Sequence, residues 1–262
     1  MSAKGTPEDQ PIDPSVKNGS DPDEVSEVKS RRRGVYLLPN LLTTASLFSG
    51  FYAIVAGMNG HFENAAIAIF VSMVLDGLDG RVARMTNTQS AFGAEYDSLS
   101  DMVAFGVAPA LVAFSWVLSD LGKLGWIAAF IYVAGAALRL ARFNTQIGST
   151  DKRYFVGLPS PSAAAIVAGM VWVFHRSEVS PTLTGVAAIV VAAAGALMVS
   201  NVLYYSFKDL DLKGRVPFVN VLIIVGLFAL IAVAPAQILF LTFLLYTLSG
   251  PVISLKRRIG KS

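Results

Sequence analysis

Four aspartates, Asp76, Asp79, Asp97 and Asp101, stand inside sequence that is otherwise apolar enough to cross a membrane. A charged Asp at the middle of a bilayer costs roughly 2.5–3.5 kcal/mol on insertion scales. Four of them would cost on the order of 10 kcal/mol. A fold that keeps them must compensate, and bound cations are the natural compensation. A proton or cation path through a transporter is the other setting in which intramembrane acids occur.

The spacing organises these acids. Asp76, Asp79, Gly80, Ala83 and Arg84 fall at i, i+3, i+4, i+7 and i+8, one face of a helix. Gly93, Asp97 and Asp101 fall at i, i+4 and i+8 of a second helix. A polar turn from Met85 to Phe92 joins the two, which predicts antiparallel packing with the acidic faces together and small residues permitting close backbone approach. Carboxylate oxygens suit hard cations such as Mg²⁺, Mn²⁺ or Ca²⁺, and four negative charges balance two divalent ions. The chain has no Cys and only two His, which disfavours zinc or copper.

Hydrophobic residues make up 54% of the 262 positions and charged residues 15%, the balance of an integral membrane protein. The expected fold is all-α: a polytopic bundle of about eight transmembrane helices, each near the length a bilayer demands. The spans are read at Tyr36–Met58, Ala65–Arg84, Tyr96–Ser119, Leu124–Phe143, Ser160–Phe174, Leu183–Tyr204, Pro217–Val233 and Ala236–Leu255. Gly34 and Pro39 are read as the start of the first helix. Residues 1–30 are polar and read as a disordered tail, 31–255 as the membrane domain and 256–262 as a basic tail. Lys and Arg cluster in both tails and in the loops after the second, fourth and sixth spans, so both termini and the acidic motif are expected to face the cytoplasm from the cell membrane. These clusters suit anionic headgroups, and no nucleic-acid motif is present.

The pattern D-x2-D-G-x2-A-R-x8-G-x3-D-x3-D over Asp76–Asp101 resembles the signature of the CDP-alcohol phosphotransferases at every defining position. That resemblance implies that Asp76, Asp79 and Asp97 hold metal, Mg²⁺ or Mn²⁺ with two ions per site, and that Asp101 shares a metal and acts as general base. It implies that Gly80, Ala83, Arg84 and Gly93 frame the CDP moiety. Ser90, Pro39 and Asn40 occupy places that contact the CDP-lipid in similar proteins, with Thr43 one turn on. It also implies a homodimer.

Three further segments are similar to the branch of the family that uses serine: Phe105–Ala110, Leu138–Asn144 and Gly157–Ser162. Leu197–Asn201 and Ser206–Lys208 fit the same branch. The implied reaction transfers a phosphatidyl group from CDP-diacylglycerol to the hydroxyl of L-serine and releases CMP. Glycerol 3-phosphate or inositol phosphate is the acceptor in sister enzymes. Arg139 and Arg142, at i and i+3 near one end of the fourth span, with Asn144 just beyond, are candidates to hold the serine carboxylate or the lipid phosphate. They also suit a role as anchors at the headgroups.

Overall fold

A computed structural model describes residues 22–145, 154–206, 225–226 and 229–259. The helices are α1 (Pro22–Met58), α2 (Phe62–Met85), α3 (Ala91–Asp101), α4 (Ala108–Trp116), α5 (Lys123–Thr145), α6 (Ser160–Phe174), α7 (Pro181–Val199) and α8 (Pro235–Ile259). A π-helical turn, Met102–Val107, joins α3 to α4 without a break, and a short 3₁₀ turn, Leu118–Leu121, precedes α5. Leu37–Met58, Ala91–Trp116, Lys123–Thr145, Pro181–Val199 and Pro235–Ser254 are long and apolar enough to cross a membrane. This is an integral membrane architecture of helices.

Several expectations shift. Pro39 lies inside α1, not at its start, because the helix begins at Pro22 within the stretch read as a tail; residues 1–21 lie outside the described ones. The third span begins at Ala91 and ends at Trp116, and the sixth ends at Val199. Most of the seventh span, Pro217–Val233, lies outside the described residues. Helix α6 matches its expected limits, yet at 15 residues it rises only about 22 Å. It survives at that length because it runs through the middle of the bundle, with Ala163–Val171 buried. Two three-residue strands break the all-α expectation. Here β1 (Tyr154–Val156) pairs antiparallel with β2 (Leu203–Tyr205), tying the segment before α6 to the segment after α7. Gly157 leaves β1 with φ +82°, against the backbone of Met198 and Ser200, where a side chain would be strained and would clash.

Buried hydroxyls fasten α1 to α2. Ser46 and Ser72 bond each other at 2.8 Å, and Ser49 donates to the Ala68 carbonyl at 2.7 Å. In lipid such pairs hold helices where the hydrophobic effect supplies no force between them. Ser100 donates to the Thr43 carbonyl, tying α3 to α1. Helices α2 and α3 therefore both lean on α1 and scarcely on each other, so the antiparallel pair expected from the sequence is splayed. The small residues do not bring the two backbones together. A Cβ on Gly80 would meet nothing within 4 Å, and one on Gly93 would meet only Ser90 and Asn40.

Candidate active site

The splay opens a cavity of about 330 Å³ between α1, α2 and α3. Pro39, Asn40 and Thr43 line it from α1, Gly80, Ala83 and Arg84 from α2, and Ser90 and Gly93 from the start of α3. All eight residues singled out from the sequence for the CDP-lipid thus share one cavity. Ser90 also caps α3, accepting the Gly93 N–H at 3.0 Å, so its position is fixed by helix chemistry. Thr88, Gln89 and Ala94 complete the wall. The sequence reading missed them: Thr88 and Gln89 sit in a polar turn, where nothing distinguishes a lining residue from a solvated one, and Ala94 is one small residue in the first turns of α3.

Asp79 and Asp97 edge the same cavity. Oxygens of Asp76, Asp97 and Asp101 lie within 4.8 Å of one another, two helices contributing to one acidic cluster. Asp79 stands outside that trio. It is buried, and its Oδ2 accepts the Thr43 hydroxyl at 2.7 Å. Oδ1 of Asp97 and Oδ1 of Asp101 are buried and receive no hydrogen bond. Buried acceptors are almost always satisfied, so two orphaned carboxylate oxygens in one cluster call for a ligand. Three carboxylates offering hard oxygens at this separation fit a divalent cation. The π-helical turn starts directly after Asp101, and such turns recur at functional sites. Tyr132 is fully buried and donates to the Phe105 carbonyl within that turn.

Arg139 comes from α5. It donates to Ser160 Oγ at 2.7 Å, its Nε has no acceptor, and its charge acts on Asp101 and Tyr246. Arg142 and Asn144 point elsewhere: Arg142 reaches Asn201 at 3.5 Å, and Asn144 donates to Ser98 at 3.0 Å. Of the three acceptor-site candidates, Arg139 is the one with a buried donor nitrogen that has no acceptor. Ser160, which orients it, lies in the Gly157–Ser162 segment that the sequence flagged without a role.

The family model described as CDP-alcohol phosphatidyltransferase matches residues 36–200. A protein from Helicobacter pylori (strain 26695) named CDP-diacylglycerol–serine O-phosphatidyltransferase is 39% identical over 219 residues, 82% of this chain and 90% of that one. A protein of the same name from Methanocaldococcus jannaschii is 36% identical over 177 residues, 68% of this chain and 78% of that one. Among solved structures, a phosphatidylinositol phosphate synthase of Mycobacterium tuberculosis in complex with manganese and citrate aligns at TM-score 0.47 and 19% identity, over 64% of this chain and 80% of that one. The chain belongs to the CDP-alcohol phosphatidyltransferase family.

Proposed function

We propose that this chain transfers the phosphatidyl group of CDP-diacylglycerol to the hydroxyl of L-serine, giving phosphatidylserine and CMP. The observation that carries this reading is the half-buried acidic trio, with its two orphaned oxygens, which meets through Asp97 a cavity that Asp79, Gly80, Ala83, Arg84 and Gly93 of the family signature also line. The names of the Helicobacter and Methanocaldococcus relatives support serine as the acceptor.

Asp76, Asp97 and Asp101 hold divalent metal, Mg²⁺ or Mn²⁺, with Asp79 at the nucleotide side and two ions in the full site. A divalent cation held there would neutralise the diphosphate and stabilise the charge that grows on departing CMP. The cavity residues hold the cytidine diphosphate, with Arg84 at its rim facing phosphate. Serine is a poor nucleophile while its hydroxyl keeps its proton, so a base must accept that proton as attack proceeds. Asp101 takes it. The serine oxygen forms a bond to the lipid-bearing phosphorus, the bond from phosphorus to the CMP oxygen breaks, and CMP leaves in line. Arg139, steadied by Ser160, holds the serine carboxylate or the lipid phosphate beside that base.

The wider setting follows the sequence: eight spans, a membrane domain over residues 31–255, and a homodimer in the cell membrane. Both termini and the site face the cytoplasm on the side of the basic loops. The test is CMP release by purified protein with CDP-diacylglycerol and Mn²⁺, given serine, glycerol 3-phosphate, inositol phosphate or no acceptor. Release that requires serine, and falls about 10³-fold in Asp101→Asn, supports the reading. Release with a phosphorylated acceptor alone sinks serine as the substrate.

A further inference from the structure

A second cavity, about 700 Å³, lies between α2, the two-stranded ribbon, the start of α6 and the middle of α8, which packs on β2. It is twice the size of the first and shares no lining residue with it. Aromatic rings form part of its wall, Phe155 and Phe243 among them. Its one charged lining residue among those described is Arg81, which is exposed and forms no salt bridge with any described residue. Arg81 and Arg84 thus leave the same helix into different cavities.

Two observations suit an anion beside Arg81. Ser206 lines the cavity, is 1% exposed, and its hydroxyl has no hydrogen-bond partner. A buried hydroxyl is rarely left so. Pro159 and Ser162 bring the first turn of α6 to the same wall, and that turn has no side-chain cap. The unpaired amides and the dipole of a helix start favour negative charge.

We propose that this cavity binds one anionic phospholipid, its phosphate between Arg81, Ser162 and Ser206 and an acyl chain along Phe155 and Phe243. No acidic residue among those described lines the cavity, so the ammonium of a free amino acid would have no partner there. Serine would also leave most of the volume empty, whereas aromatic walls with a cationic rim match a headgroup and its chain. The cavity shares no lining residue with the one beside the acids, and the proposal does not depend on the reaction assigned there. The two are neighbours through Tyr246, which lines this cavity and lies within electrostatic range of Arg139.

The test is calorimetric titration of the detergent-solubilised protein with dihexanoyl-phosphatidylglycerol, against dihexanoyl-phosphatidylcholine and free serine. The unaltered protein should bind the glycerol lipid more tightly than the choline lipid. That affinity should fall about 10-fold in Arg81→Gln and by a smaller factor in Ser206→Ala, as loss of a charge-assisted and of a neutral hydrogen bond requires. Thermal unfolding of the lipid-free variants should match the unaltered protein, since Arg81 is exposed and Ser206 bonds nothing. Equal affinity for both lipids, or affinity unchanged in both variants, would overturn the assignment. Serine binding that Arg81→Gln abolishes would overturn it too, by making this an amino-acid site. Failure of serine-dependent CMP release would count against the proposed reaction alone, because these titrations need no turnover.

Discussion

The two ends of α2 carry acids on opposite terms. Glu63, in the first turn, accepts Arg176 Nη2 at 2.7 Å and lies 3.6 Å from His175 Nε2. The hydrogen bond from Arg176 holds its carboxyl below the usual range, and the trio ties α2 to the residues just past α6. Asp76, toward the other end, faces two more carboxylates, and buried oxygens of both go unpaired. At the first end the protein satisfies its own charge, and the result is an ordinary surface ion pair. At the second it gathers like charges under cover and leaves them wanting, an arrangement that helps folding nowhere and therefore belongs to a ligand.

Asp76→Asn breaks the contrast most severely. Serine-dependent CMP release should fall at least about 10²-fold, the range set by removing a positioned charge at a reacting centre. The metal-free variant should melt no lower than the unaltered protein, because one of three clustered like charges is gone. Comparison of kcat with thermal unfolding in EDTA checks both halves. Gly80→Val sharpens the picture of the cavity. A Cβ there meets nothing within 4 Å, so the fold should tolerate it while the added methyl groups intrude on the nucleotide. The KM for CDP-diacylglycerol should rise about 10-fold, the effect of ~1.4 kcal/mol, with the KM for serine little changed. At the satisfied end, Arg176→Ala should have the smallest effect, a barely measurable loss of stability in chemical denaturation and none in kcat, as for an exposed ion pair.

The contrast was only half legible in the sequence. The helical spacing of Asp76, Asp79, Asp97 and Asp101 showed that they share faces, and the motif together with the family resemblance singled out the eight cavity residues. Spacing cannot show how far apart two helices stand, however. Small residues at Gly80 and Gly93 serve equally as a packing seam or as open space, and α1 standing behind both helices decided for open space. The withdrawal of Asp79 from the trio depends on Thr43, a partner 36 residues away that no local pattern pairs with it. The ribbon of β1 and β2 joins segments about 50 residues apart, three residues each, too short to show an alternation. Arg139 looked like Arg142 from the sequence. Their partners separate them, Ser160 for one and Asn201 for the other.

The most direct test of the central claim, that the unpaired acids form a cation site, is the Mn²⁺ bound per chain, read by electron paramagnetic resonance. The unaltered protein and Glu63→Gln should bind Mn²⁺ alike, and Asp97→Asn and Asp101→Asn should lose most of it. Binding that survives in both Asp variants, or that disappears in Glu63→Gln, would contradict the account.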